Sequence, residues 1–221
     1  MDWTALLVSL QLAISTTLLL LPLGLLLARY LACTCFKGKA LIEAIVVLPL
    51  VLPPTVLGYY FLVSLGAGSP VGAWLLEHFN IRLTFNFFGI LLASIVFNVP
   101  FMVQPIQRSL EAIPQNLLEA AAVSGLSRWQ TFLRVQLPLA WPGILSAVVL
   151  TFVHTLGEFG VVLMVGGSIP GQTRTIAVSI YDRVQAFDFQ AAHYMASLLL
   201  LLSLLAVASS FFASAKMVKT K

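Results

Sequence analysis

Charge is what this sequence has least of. Only 9% of its 221 residues are Asp, Glu, Lys or Arg, against about 25% in a soluble domain. That excludes a water-soluble globular fold. Cysteine is scarce too: Cys33 and Cys35 stand without a neighbouring Cys or His, so they read as small apolar filler at the end of a span rather than as a metal or redox pair. Catalytic signatures are missing. Gly38-Lys39 lacks the upstream glycine of a phosphate loop. His154 and Glu158 do not form the His-Glu-x-x-His of a metalloprotease, and no Ser and His sit in a nucleophile motif. No catalytic or metal-binding residue is expected, and any power source has to be another chain or an ion gradient. There is also no basic stretch before the first apolar run, only Asp2, so that run reads as a retained span rather than a secretory signal. The net charge of +4 follows membrane topology and does not imply nucleic acid.

What is abundant is apolar. The chain is 60% hydrophobic with a mean hydropathy of +1.00, which leaves room for five or six membrane spans of about 20 residues. The reading is one all-α transmembrane domain over 1–221, with five spans near 4–28, 40–65, 87–106, 139–165 and 191–213 and a polar loop near 113–138. Two spans carry unusual residues. In the second, Pro49, Pro53, Pro54 and the adjoining Thr55 cannot lie in a straight helix, because each proline removes an amide donor and crowds the preceding turn. Freed carbonyls in lipid need protein or a water-filled path, so this break is either a packing kink or part of a pathway. In the fourth, His154 and Glu158 are spaced i, i+4, which puts them on one helix face if the helix is continuous. They read as a gate on a pathway or as a structural pair satisfied against a neighbouring helix. Asn98 and Gln104 in the third span read as interhelical glue. Short interfacial helices are expected after Ser69-Pro70 and between Arg174 and Phe189, the second after a flexible Gly166–Gly171 turn.

The polar loop is the most structured stretch. Ile113-Pro114 stops the preceding helix, Leu117, Leu118, Ala121 and Ala122 recur at helical spacing, and Gly125 stands where a left-handed helix end is wanted. Ser127 with Gln130 has the form of a capping box. Trp129, Phe132 and Leu133 then make an apolar stripe that, on a loop facing water, calls for a partner. Glu119-Ala120-Ala121, three residues, Gly125, nine residues, Val135, one residue and Leu137-Pro138 together resemble the signature loop of bacterial ABC-importer permeases, the binding-protein-dependent transport inner membrane components. The one departure is Val135, where the family usually has Ile.

The resemblance implies a five-helix permease core, a homodimer around a central path, and two ATP-binding cassette subunits on the cytoplasmic side. ATP and Mg would belong to those partners, with no cofactor in this chain. It implies a coupling role for Glu119, Ala120, Ala121, Gly125, Leu137 and Pro138, with Glu119 pairing with a basic group on the ATPase. Trp129 and Phe132 join this set from the apolar stripe. Leu48 to Gly58, His154 to Gly160 and the Gly166 to Thr175 turn look like the oxyanion branch, most similar to molybdate permeases, with sulfate–thiosulfate and tungstate permeases as alternatives. An external binding protein would dock on Gly66 to Asn86 and Gly167 to Phe189. From another class, an ion-coupled transporter could use Glu158 and His154 as a proton site, but no internal repeat supports it; a membrane scaffold would leave the broken second span and the buried Glu158 without a purpose.

Orientation follows from the basic residues. Arg29, Lys37, Lys39, Arg108, Arg128, Arg134, Lys216, Lys219 and Lys221 fall on one side, and only Arg82, Arg174 and Arg183 on the other. The first side is expected to be the cytoplasmic face of a bacterial inner membrane, with the N-terminus outside and the C-terminus inside.

Overall fold

The computed structural model describes residues 1–218, with side-chain surroundings to Phe212. Lys219 and Lys221, two of the lysines used for orientation, lie outside the described residues. The described chain is helical, in the order α1 (Trp3–Cys33), α2 (Lys39–Val51), α3 (Pro54–Leu65), α4 (Pro70–Phe79), α5 (Phe87–Glu111), α6 (Gln115–Val123), α7 (Arg128–Thr131), a π turn (Phe132–Gln136), α8 (Leu137–Leu156), α9 (Gly160–Gly166), α10 (Ile176–Gln185) and α11 (Phe189–Val218). Four helical segments are long and apolar enough to cross a membrane, and α2 with α3 makes a fifth if the bent pair counts as one span.

The centre of the bundle is α1, α5 and α8. In lipid the hydrophobic effect does not favour one helix contact over another, so packing depends on close fit and small residues. Gly143 of α8 is a case in point. A Cβ there would meet the carbonyl oxygen of Pro105 at 2.7 Å and the Ser109 side chain at 2.3 Å, so α8 crosses α5 almost backbone to backbone. Ala28, Met102, Val103, Ile106, Ala140 and Ala147 fill the core beside that crossing. In contrast α11 is 6% buried over its span window, and Leu200, Leu204 and Phe211 face outward.

The first, third and fifth spans run longer than their apolar stretches suggest, because helix continues past the membrane-depth residues into polar ends such as Arg108 and Glu111. The second span breaks as expected, with α2 and α3 bent by 105°. The break falls at Leu52-Pro53, with Pro54 opening α3, while Pro49 stays buried inside α2. The fourth span is corrected. It is not one helix over 139–165: α8 ends at Leu156, Gly157 caps it, and α9 resumes only at Gly160. The i, i+4 face expected for His154 and Glu158 therefore does not exist, since the helix stops between them.

Both short peripheral helices form. Ser69 caps α4 by accepting from the Gly72 amide at 2.8 Å. The turn before α10 is tied rather than loose: buried Thr173 accepts from the Ile169 amide at 3.1 Å and donates to the Gly166 carbonyl at 2.7 Å. Cys33 and Cys35 are exposed rather than packed as filler.

Candidate functional site: a hairpin and two broken helices

The polar loop folds as a helical hairpin at the C-terminal ends of α1 and α5. Helix α6 ends in paired bonds, from the Leu126 amide to the Ala121 carbonyl (3.1 Å) and from the Gly125 amide to Ala122 (3.0 Å). This is a Schellman end, and it needs the left-handed residue that Gly125 supplies with φ of +77°. The capping box is complete: the Ser127 hydroxyl accepts from the Gln130 amide at 3.3 Å, and the Ser127 amide donates to Gln130 Oε1 at 2.9 Å. Pro138 lacks the amide that would bond Arg134 in an α-helix, and the helix slips into π register just before it. So α7 does not end; it flows through the π turn into α8.

The loop residues divide by exposure. Glu119, Ala120, Gly125 and Pro138 are on the surface, and Leu137 is half-buried. Trp129 is 52% exposed and Val123 is 90% exposed. Among the described residues Glu119 has no ion-pair partner. Ala121 is buried. Phe132 departs from the expected docking stripe, being only 2% exposed and packed in the core with Ile106, Leu110 and Ala140. The stripe splits because Phe132 turns into the core while Trp129 stays at the surface; Arg29 of α1 lies over both, 5.0 Å from the Trp129 ring and 4.2 Å from Phe132. The sequence marked Arg29 only as part of a basic loop, with nothing to pair it to a residue a hundred positions on.

The two broken spans meet. A Cβ on Gly160 of α9 would lie 3.0 Å from Pro54 Cβ and 3.6 Å from the Thr55 amide. On the next turn a Cβ on Gly58 would lie 3.2 Å from Val161 Cα and 2.7 Å from Met164 Cβ. The half-helices α3 and α9 thus pack through two glycines. Pro53, Pro54 and Thr55 stay exposed on the bundle surface, while Pro49 is set apart in α2.

His154 and Glu158 do not pair with each other. Each is held by α5. Asn98 Oδ1 lies 2.9 Å from His154 Nδ1; an amide oxygen only accepts, which assigns that ring proton to Nδ1. His154 also stacks on Phe101, with centroids 4.0 Å apart. The Ser94 hydroxyl donates to Glu158 Oε2, and Asn98 Nδ2 donates to the Ser94 carbonyl at 2.8 Å and its hydroxyl at 3.3 Å. The result is a chain His154, Asn98, Ser94, Glu158, with Ser94 and Asn98 fully buried. Glu158 Oε1 is buried with no hydrogen-bond partner among the described residues. Asn98 is interhelical glue, as read from the sequence. Ser94 was missed, although its i, i+4 spacing to Asn98 was the available signal.

A second polar cluster, unread in the sequence, ties α2 to α5. Gln107 donates to Glu43 (2.7 Å) and Glu111 (2.9 Å), and Lys39 lies 3.8 Å and 3.9 Å from the same two carboxylates. At the opposite end of the bundle, Ser168 donates to Asp182 at 2.9 Å and accepts from Arg174 at 2.9 Å.

Comparison with known proteins follows the same lines. The chain is 47% identical over 205 residues to the molybdenum transport system permease protein ModB of Azotobacter vinelandii, covering 92% of this chain and 90% of that one. It is 37% identical over 182 residues to the sulfate transport system permease protein CysT of Escherichia coli (strain K12), covering 82% and 65%. The crystal structure of a bacterial ABC transporter that imports alginate contains a chain with this fold, at a TM-score of 0.79 and 21% identity, covering 96% of this chain and 78% of that one. The sequence pattern of the family described as binding-protein-dependent transport system inner membrane component matches residues 20–219. The chain is a multi-pass membrane protein and belongs to that family.

Proposed function

We propose that this chain is the permease subunit of an ABC importer that carries an oxyanion, molybdate, from a binding protein across the bacterial inner membrane. Two copies form the path, and two ATP-binding cassette subunits bind the hairpins and hold the ATP and Mg. The observation that carries the reading is the hairpin itself. It is rigidly built at both ends, yet it leaves Glu119 and Val123 exposed without a partner among the described residues and Trp129 half exposed beside Arg29. A buried-quality turn that presents an acid and an apolar ring to water suits a protein groove. One chain carries one such hairpin, so a pair of ATPases requires a two-fold pair of chains.

The basic-residue count supports the hairpin side as cytoplasmic. The tied turn at 166–174 and helices α4 and α10 then face the binding protein. Between them, α3 and α9 form the element to move. Each begins at a backbone break, and their shared glycine contact lets them swing as one piece. The Ser94 and Asn98 clasp on α5 sets the resting position of the second break. Molybdate is favoured over sulfate by the greater likeness to the molybdenum permease, 47% against 37% identity.

The test is uptake of labelled molybdate by cells lacking this chain, with and without it restored, in excess sulfate. Restored uptake that resists sulfate is expected. Uptake erased by modest sulfate moves the substrate to sulfate, and no molybdate uptake removes the molybdate assignment.

A further inference from the structure

Helix α1 is fastened by directional side-chain bonds at its two ends and, among the described residues, by none that cross its middle. At the hairpin end, Arg29 stacks over Phe132 and Trp129 and donates from Nη2 to the Arg128 carbonyl at 3.2 Å. One turn on, Cys33 Sγ accepts from Gln136 Nε2 at 3.7 Å. These contacts are local, because α6 stands away from α1 across a cleft of about 710 Å³ lined by Arg29, Glu111, Gln115 and Gln136 among others. At the far end, the Ile176 amide donates to Ser9 Oγ at 2.8 Å, with both residues fully buried. Asp2 caps α1 by accepting from the Ala5 amide at 2.9 Å and accepts from Ser179 of α10 at 3.1 Å.

Ser9 and Arg29 are about 30 Å apart along the axis, at about 1.5 Å per residue, and the helix runs through Pro22 without a break. Between them α1 packs on its neighbours through Leu12, Leu20 and Ala28 and through buried Thr16 and Thr17, whose hydroxyls have no hydrogen-bond partner among the described residues. A face with no hydrogen bond across it can shift in small steps as packed helices shear, whereas hydrogen bonds to backbone fix a position. From α10 the connection continues: the Tyr181 ring lies 4.9 Å from Phe159, the residue after Glu158.

We propose that α1 is a strut that carries movement of the hairpin to α10 and from there to the break at Glu158, with Arg29 and Ser9 as its two positioning residues. It rests on the importer reading above. The covalent route from the hairpin into α8 passes through the π turn, a locally distorted stretch, and then ends at Gly157; α1 has neither interruption.

The experiment uses the complete complex in liposomes, with its ATPase and binding protein, and reads the ratio of ATP hydrolysis with and without molybdate-loaded binding protein. Arg29→Ala and Ser9→Ala are each expected to lower that ratio by about fivefold or more. The double variant should fall no further than the worse single one, because both cut one route. Arg29→Lys, which keeps a cation over the rings but loses the planar fork, should be intermediate, and it carries the test if Arg29→Ala lowers assembly. Unchanged ratios, or effects that multiply in the double variant, overturn the strut. If the unmodified complex shows no ATP-dependent uptake, the importer reading falls and the strut with it; uptake with unchanged ratios in the variants removes the strut alone.

Discussion

Replacing Ser94 by Ala removes the hydroxyl that donates to the buried Glu158 carboxylate. Asn98 keeps its shorter bond to the Ser94 carbonyl at 2.8 Å, so the loss falls on Glu158. A typical hydrogen bond contributes about 0.5–1.5 kcal/mol in water-soluble proteins, whereas interhelical bonds in membrane proteins average about 0.6 and reach about 1.7 kcal/mol. The lower average arises because side chains in the unfolded membrane state find other partners. Here Glu158 is 4% exposed and its Oε1 already has no partner among the described residues, so the upper end applies, about 1.5 kcal/mol. A double-mutant cycle isolates it. In a Glu158→Met background the acceptor is gone, and Ser94→Ala should cost little. Unfolding in mixed micelles with rising SDS, followed by tryptophan fluorescence, gives each free energy. A coupling of about 1.5 kcal/mol is expected. A coupling below about 0.5 kcal/mol would refute the clasp, because it would mean that Ser94 and Glu158 do not depend on each other.

Three further outcomes follow from the geometry. Glu119→Lys and Gly125→Pro should abolish uptake while the chain still reaches the membrane, measured as uptake per unit of inserted protein; normal transport by either removes the coupling role. Gly125→Ala adds a Cβ into open space, so only the left-handed backbone is strained, at about 1–2 kcal/mol, and uptake should fall far less than with the proline. Gly58→Leu places its Cβ against Met164 and the Val161 backbone, where overpacking costs about 1–3 kcal/mol. It should part α3 from α9 and reduce uptake more than stability, read from the same SDS titration.

The parts of this fold that could be read in the sequence are the ones encoded over a few residues. Gly125, Ser127 and Gln130 act on neighbours within one or two turns, so their left-handed end and capping box could be stated from spacing alone. The break at Pro53-Pro54 was legible for the same reason, since a missing amide is a property of the residue. The fourth span was misread because Gly157, Phe159 and Gly160 are ordinary components of membrane helices; nothing local forces the turn. Its two sides are held by residues far away in sequence, Ser94 and Asn98 of α5, which bond to Glu158 and His154. Phe132 was misread in the same way, since its periodicity placed it on a stripe but distant residues, Ile106 and Leu110 of α5 and Arg29 of α1, decide that it is covered.

The same division explains where the candidate site sits. Its fixed part, the hairpin turn, is specified locally by Gly125, Ser127 and Gln130. Its adjustable parts, the contacts of Arg29, Ser9, Ser94 and Asn98, are single polar bonds between helices set in an apolar surround. An element that must occupy two positions needs contacts that can be exchanged one at a time, and a bond of one or two kcal/mol can be. Rigid turns joined by sparse polar clasps are therefore what a transporter driven from a separate chain requires: a strong local shape to be pushed, and a weak distant hold to be released.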